Sequence, residues 1–357
     1  MRPTTQERST MTGGKFGKPP SGRVRSVDIA RELGVSRTAV SFVLTNSPNA
    51  ANISQKKRER ILALARAWNY RPNAVARSLR EQRSGIVGVV FPDLSHSWAE
   101  RVLVGMHEVL EPRQYVPLIS MSLWQPDRER NEMRSLVGRQ VDAIVSISPN
   151  VDNQDVYEEV VQAGTPLLFA GDALAEDDRY HHVIWDEGEA VRAAMAHLVE
   201  RGRERIALLT ASYESLLARE REEAYRRVVS QAELAADDRL IVSPPPHQGV
   251  EAALARLLAR SGPKPDAILA TTDALAIPAL SYLDGRGVAV PDDIAVMGLG
   301  DLPSSSYSRI GLTTVEPPTA ELGRRAAQLS LDLIEDPPPE PVHDFIRSSR
   351  VIVRKTT

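Results

Sequence analysis

The sequence contains no cysteine among its 357 residues. This absence excludes disulfide bonds, thiolate metal sites and cysteine nucleophiles. Long apolar runs are also missing, so no segment is predicted to span a membrane. The first twenty residues lack the apolar core that a secretion signal needs. Together these absences predict a cytoplasmic protein.

Familiar catalytic motifs are absent as well. The sequence has no phosphate-binding P-loop, no G-x-S-x-G nucleophile elbow and no H-E-x-x-H zinc motif. Gly298 and Gly300 lack the third glycine of a dinucleotide fingerprint. His181 and His182 are adjacent, so on a strand their side chains point to opposite faces and chelate a metal poorly. We therefore expect no enzymatic activity, no cofactor and no metal.

Charge is distributed unevenly along the chain. The net charge is −3, yet residues 23–83 carry thirteen Lys or Arg against four Asp or Glu, a net charge of +9. Residues 1–22 add +3, and the remaining residues carry −15. A basic region attached to an acidic body is typical of a protein that contacts a polyanion at one end. Charge alone is equally compatible with a solvated basic face.

The N-terminal region is predicted to contain an arm and three short helices. Residues 1–22 are rich in Gly, Pro, Ser and Thr, which is typical of a disordered arm. Ser26, Ser36 and Ser54 are suitable N-caps for three successive helices. Gly34 can end the first helix, because glycine adopts the left-handed conformation at little cost.

Two short helices joined by a glycine-containing turn form a helix-turn-helix. In that arrangement the second helix enters the DNA major groove with its N-terminal side chains nearest to the bases. This predicts base contacts by Ser36, Arg37, Thr38 and Ser41. The guanidinium of Arg37 can pair with O6 and N7 of guanine. A small helical bundle without DNA function is the alternative interpretation.

From Gly85 onward, short apolar runs alternate with amphipathic helical stretches. Such alternation is typical of parallel sheets with helices on both faces. This part of the chain is too long for one sheet, so two lobes are expected. Before it, residues 72–83 form a short basic stretch that begins with proline. That stretch has good helix formers but is too short to be a stable helix by itself.

Residues 27–41, VDIARELGVSRTAVS, and residues 70–79, YRPNAVARSL, resemble the headpiece and hinge signatures of the LacI/GalR family of transcription regulators. The similarity continues through residues 92–95, 202–209, 289–296, 312–315 and 321–326, so that it covers residues 25 to about 353. The resemblance implies an all-α helix-turn-helix headpiece followed by an α/β two-lobed, periplasmic-binding-protein-like domain with parallel sheets.

The resemblance also implies domain boundaries. It assigns residues 1–22 to a disordered arm, 23–71 to the headpiece, 72–83 to a hinge helix and 84–357 to an effector-binding and dimerisation domain. Within that domain the first lobe is expected over 84–182 and 314–342, and the second over 183–313 and 343–357. The chain is then expected to cross between the lobes near Val183, Thr313 and Val342.

In this family the hinge helices of two protomers fold together on the operator, and a leucine from each enters the minor groove. Leu79 matches that leucine, and such an apolar wedge kinks DNA. Arg77 and Arg80 flank it and are expected to contact phosphates, and Asn73 is also assigned to the DNA interface. Phe42 stands where the family often has a polar base-reading residue, so it can contact a thymine methyl but cannot hydrogen-bond.

The resemblance implies an effector site between the lobes. The residues assigned to it are Asp93, Ser95, Arg221, Thr272 and Asp301. Arg221 matches the arginine with which the family binds a hydroxyl or carboxylate. The family's first turn aspartate and the asparagine of its Ala-Asn-Asp segment are both replaced, which removes two strong sugar partners. The effector is therefore expected to be a small molecule that is sugar-like, less polar or differently charged.

These features predict a sequence-specific transcription regulator, most simply a repressor, that acts as a homodimer on double-stranded DNA. Two-fold symmetry of the protein predicts a pseudo-palindromic operator. Two alternatives are a cytoplasmic solute-binding protein without DNA function and an enzyme built on the same α/β body. The basic headpiece argues against the first, and the missing catalytic motifs argue against the second.

Overall fold

The computed structural model divides into two compact units, Met1–Ser84 and Gly85–Thr357. It describes residues 16–45, 47–71, 78, 82–94, 97–174, 178–210, 216–244, 249–259 and 261–357. Several sequence predictions lie outside the described residues. These are the arm up to residue 15 and the roles of Asn73, Arg77, Leu79, Arg80 and Ser95.

The last part of the expected arm is held against the first unit. The Gly17 N–H donates to the Glu32 carboxylate at 2.8 Å. The Gly17 carbonyl accepts a hydrogen bond from Trp68 Nε1 at 3.0 Å, and Phe16 packs against the helical core. Residues 16 and 17 therefore differ from the expected disordered arm, because a buried ring contact and two hydrogen bonds fix them.

Three α-helices lie in the described part of the first unit, as the capping pattern predicts. They are α1 Ser26–Leu33, α2 Arg37–Leu44 and α3 Gln55–Ala67. Gly34 ends α1 with a left-handed φ of 62°, and the Ser36 hydroxyl caps α2 by accepting from the Ala39 N–H at 3.1 Å. Helix α1 begins one residue earlier than predicted, with Arg25 rather than Ser26 as its N-cap. The fully buried core consists of Ile29, Val40, Ile61 and Leu64.

The first lobe of the second unit contains a six-stranded parallel sheet. Its strands are β1 Ile86–Phe91, β2 Val116–Met121, β3 Ala143–Ile147, β4 Leu167–Ala170, β5 His181–Trp185 and β11 His343–Ile346. They lie in the order β11-β5-β4-β3-β1-β2, with every neighbouring pair parallel. The helices on its two faces are α4 Ser97–Leu110, α5 Pro126–Gly138, α6 Gln154–Gln162 and α11 Thr319–Glu335. Strand β3 is buried along its whole length because both faces are covered.

The second lobe repeats this layered arrangement. Its strands are β6 Ile206–Leu209, β7 Ile241–Val242, β8 Ala267–Ala270, β9 Ala295–Leu299, β10 Thr313–Glu316 and β12 Arg350–Ile352, in the order β12-β10-β9-β8-β6-β7. Edge strand β12 is antiparallel to β10, and the other pairs are parallel. The helices are α7 Glu187–Glu200, α8 Leu216–Gln231, α9 Val250–Leu258 and α10 Asp273–Asp284. The predicted fold class is confirmed, with one antiparallel edge strand.

The chain crosses between the two sheets three times, each time after a complete strand. The crossings follow β5, β10 and β11. The crossings expected from the sequence are Val183, Thr313 and Val342. Each of those positions lies within a strand or just before one. The hydrogen-bonded register pairs Trp185 with Ile346, so β5 and β11 belong to the first sheet as far as their carboxyl ends. Each lobe boundary therefore lies a few residues later than expected.

Two histidines stack where β5 pairs with β11. The rings of His182 and His343 have centroids 4.3 Å apart and planes within 4° of each other. His182 is buried, and its Nε2 has no hydrogen-bond partner among the described residues. Burial, followed by the nearby His343 charge, lowers the pKa of His182 from 6.5 to about 4. Because the folded protein then binds this proton less readily than the unfolded chain, protonation should favour unfolding.

His182→Phe should make unfolding less sensitive to acid. In the wild type this ring should remove up to about 3 kcal/mol of unfolding free energy as the pH falls from 6.5 to 4. The phenylalanine variant keeps an aromatic ring but binds no proton, so it should lose less. Urea unfolding across this pH window measures the difference. His107→Phe, at an exposed ring, is the control, and equal acid sensitivity of wild type and His182→Phe would contradict the prediction.

Candidate DNA-reading helix and ligand cavity

Helix α2 presents a polar face away from the core of the first unit. Arg37 and Thr38 are exposed and Ser41 is half-buried. These three share one face, because residues three and four positions apart are neighbours on a helix, while Val40 is buried on the other side. The structure therefore brings together three of the four predicted base-contacting residues. The fourth, Ser36, is exposed but uses its hydroxyl oxygen as the helix cap.

The remaining headpiece residues differ in how far they are available to DNA. Phe42 is half-buried and packs against the helical core, so part of its ring is committed to packing rather than to a thymine methyl. Lys56, Lys57 and Arg60 are exposed near the start of α3. Exposed cations beside a recognition helix suit phosphate contacts, which position a protein on DNA without reading its sequence.

A cavity of about 260 Å³ lies between the two lobes. Its size is near the lower end of the range for small-molecule sites. Residues that directly follow strands of both sheets line it, among them Ser148, Gly171, Thr271, Gly300 and Pro317. Parallel α/β sheets bind ligands at this carboxyl edge. Apolar surface dominates the lining, with Trp98, Trp124 and Trp185 as its largest side chains.

Arg221 lies in the cavity but is already paired. Its Nε donates to the carboxylate of Glu187, and the two side chains are only 6% and 11% exposed. Glu187 is the first residue of α7, where the helix dipole stabilises a negative charge. Arg221 was predicted from the sequence, whereas Glu187 was not. The available signal was an acidic residue two positions after the buried strand β5, at the edge where ligands bind.

Two threonines contribute hydroxyl groups to the cavity. Thr272 lines it as predicted, and its Oγ1 also caps α10 by accepting from the Leu275 N–H at 3.3 Å. Thr271 is 1% exposed, and its Oγ1 has no hydrogen-bond partner in the described part of the chain. A buried hydroxyl without a partner costs free energy. A polar ligand group would remove that cost, so Thr271 is a second residue that the sequence analysis missed.

Asp273 shapes one wall of the cavity. Its carboxylate accepts hydrogen bonds from Leu302 N at 2.9 Å and from Ser305 Oγ and Thr314 Oγ1 at 2.6 Å. Burial raises its pKa against the effect of these donors. A Cβ at Gly298 would lie 2.2 Å from Asp273 Oδ1, so only glycine fits beside this carboxylate. Asp273 therefore holds the turn after β9 in place.

Asp301 and Asp93, both predicted to bind the effector, are not among the residues that line the cavity. The Asp301 carboxylate instead accepts a hydrogen bond from Arg354 at 2.6 Å, in a pair that is mostly buried. Asp93 accepts a hydrogen bond from Trp124 Nε1 at 2.7 Å. Asp93 therefore contacts a tryptophan that lines the cavity rather than lining the cavity itself.

The described ranges contain no group of three His, Asp or Glu residues arranged to hold a metal ion. They also contain no helix that is long and apolar enough to cross a membrane. Within these ranges, the cavity offers aromatic rings, hydroxyl groups, the carboxylates of Asp172 and Asp273 and one buried ion pair.

Two known protein families match parts of the chain, and individual proteins match most of it. The profile of bacterial regulatory proteins of the lacI family matches residues 27–73, and that of a periplasmic binding protein-like domain matches residues 195–357. The transcriptional regulator GalR of Escherichia coli K12 is 30% identical over 337 residues, which cover 92% of this chain and 94% of GalR. Catabolite control protein A of Priestia megaterium is 29% identical over 305 residues, covering 85% and 90%.

Solved structures show the same architecture. The complex of the transcriptional regulator CelR with cellobiose has a TM-score of 0.71 at 25% identity and covers 94% of this chain and all of that one. The lac repressor dimer bound to operator and the anti-inducer ONPF has a TM-score of 0.80 at 23% identity, covering 94% and 99%. The relatives named here are transcription regulators.

Proposed function

Because the chain belongs to the lacI family of bacterial regulatory proteins and is a DNA-binding transcription regulator, we propose that it represses transcription from a pseudo-palindromic operator in the cytoplasm. A small molecule in the interlobe cavity controls its affinity for that operator. The observation that carries the proposal is the polar face of α2, where Arg37, Thr38 and Ser41 lie together opposite the buried core. Arg37 reads a guanine in this proposal, and the cations of α3 contact phosphates.

The effector in this proposal is sugar-like. CelR, which has the same fold, was solved with cellobiose. Tryptophan rings supply apolar surface for stacking against a ligand, and the Thr271 hydroxyl lacks a partner among the described residues. Arg221 and Thr272 are the predicted effector residues that line the cavity. Binding without turnover is proposed, since the buried carboxylates of Glu187 and Asp273 already hold hydrogen bonds.

Removing the first unit separates a regulator from a plain solute-binding protein. The fragment 85–357 contains the whole second unit with its own cores. We expect it to lose DNA binding, because the basic headpiece is gone, and to keep ligand binding in calorimetry. The full chain should bind both. Equal DNA affinity of fragment and full chain would contradict the proposal.

The proposed homodimer uses the edge of the first sheet. Strand β2 ends the sheet, and Val116, Ile119 and Met121 are exposed along it, with Val116 at 62%. An exposed apolar edge strand is a surface for association with another chain. The lac repressor, which shares the fold, was solved as a dimer on its operator. A second copy of this chain is therefore the proposed occupant.

Ile119→Lys should weaken this dimer. A charge in the middle of the apolar edge should raise the dimer dissociation constant by at least roughly tenfold. Sedimentation velocity over a range of concentrations measures the change. Val161→Lys introduces the same charge at an exposed valine on α6, 50% exposed against 40% for Ile119, and it should leave the dimer intact. If Ile119→Lys leaves the dimer unaffected, the edge strand β2 is not the dimer interface.

A further inference from the structure

Glu187 and Arg221 form a buried ion pair in the cavity. Among the described residues that line the cavity, Arg221 is the only cation. Its Nε is occupied by Glu187, and both side chains are nearly inaccessible to water. Two charges in this environment attract each other far more strongly than at the surface. Removing one partner of such a pair leaves an uncompensated buried charge.

An anionic ligand would meet two obstacles in this cavity. It would have to share the Arg221 guanidinium with Glu187, whose carboxylate accepts from Nε, and it would therefore lie close to that carboxylate. It would also face Asp172 and Asp273, which line the same cavity. The surroundings are already negative: burial, and then the charges of Asp186, Asp172 and Glu187, raise the pKa of the neighbouring Glu220.

The other cavity groups suit an uncharged ligand. Thr271 offers a buried hydroxyl that lacks a partner in the described part of the chain. The tryptophans offer faces for an apolar surface, and Trp124 is held by its hydrogen bond to Asp93. Sugars combine hydroxyl groups with apolar C–H faces, and aromatic residues can stack against those faces.

We propose that Glu187 is the residue that sets the charge specificity of the cavity. By occupying Arg221, it restricts the cavity to uncharged polyhydroxy ligands and excludes sugar phosphates and sugar acids. This inference rests on the proposed ligand cavity and names the class of ligand within it. It also assigns Arg221 a different role from direct capture of an anion, since its charge is already balanced.

Glu187→Gln tests the inference, because glutamine keeps the shape of the side chain but removes the charge. Calorimetry on the full chain without DNA compares glucose and cellobiose with glucose 6-phosphate, gluconate and inorganic phosphate. The wild type should not bind the anions measurably. The variant should gain anion affinity by at least roughly tenfold, and Glu187→Gln combined with Arg221→Gln should lose that gain.

Glu220→Gln is the matched control, since it removes the same charge from a neighbouring residue that does not line the cavity. It should leave anion binding unchanged. Glu187→Ala replaces the glutamine variant if circular dichroism shows that the latter does not fold. An anion that binds the wild type more tightly than its neutral counterpart, or a folded variant that gains no anion binding, overturns the inference. A ligand that binds as expected but leaves DNA affinity unchanged would instead contradict the proposed regulation.

Discussion

Replacing Arg37 with alanine should lower affinity for the operator by about 10- to 100-fold and relax base preference at one operator position. The side chain is exposed near the start of α2, on the same face as Thr38 and Ser41. A guanidinium there can form two hydrogen bonds with one guanine, and alanine forms none. Fluorescence anisotropy with operator variants that differ at single positions measures both effects.

Arg66→Ala is the control for Arg37→Ala. Arg66 is exposed on α3 and bonds to the Leu62 carbonyl, and its replacement removes the same charge from the headpiece. We expect a smaller loss of affinity and an unchanged base preference, since charge alone contributes equally to all DNA sequences. A uniform loss across operator variants for Arg37→Ala would mark Arg37 as a phosphate contact and contradict the base-reading role.

Gly323→Ala should destabilise the second unit by about 3 kcal/mol. Helices α4 and α11 cross so closely that a Cβ at Gly323 would lie 2.0 Å from the Val102 carbonyl oxygen. Gly105 makes the reciprocal contact, with its Cβ position 2.0 Å from the Ala320 oxygen. Both obstacles are backbone atoms, so a side-chain rotation cannot relieve them. The helices must separate, and the first-lobe core between them must open.

Gly138→Ala provides the matched control for the helix crossing. Gly138 is the last residue of α5, and a Cβ there would meet nothing within 4 Å. Alanine favours a helix over glycine by about 1 kcal/mol, so this variant should be as stable as the wild type or slightly more stable. Chemical denaturation of both variants gives the comparison. Equal stability of Gly323→Ala and Gly138→Ala would show that the crossing tolerates separation.

Local features of the sequence predicted local features of the structure. Gly34 and Ser36 place the turn of the helix-turn-helix, since one ends a helix and the other caps the next. Alternating strand and helix patterns predicted parallel sheets, because each pattern reflects burial within its own segment. The length of this region predicted two lobes. The resemblance to a known family added the order of the domains and the place of the ligand site.

Contacts between distant residues could not be predicted in this way. Asp301 was expected to face the ligand, but its partner Arg354 lies 53 residues further along the chain. Glu187 and Arg221 are 34 residues apart and meet only when α7 and α8 pack together. The lobe crossings were misplaced for a similar reason, since the ends of β5 and β11 depend on their mutual pairing. Such pairings form only in the tertiary structure, so patterns within one segment of the sequence do not predict them.

The most direct test of the account is a selection of genomic fragments by the purified full chain, followed by sequencing of the bound DNA. We predict enrichment of one pseudo-palindromic sequence, because a two-fold symmetric protein places two copies of α2 on related half-sites. Arg37→Ala in the same selection should weaken that enrichment and lose the base preference at one operator position. Absence of any enriched sequence, both with purified protein and after addition of cell extract to supply an effector, would contradict the account.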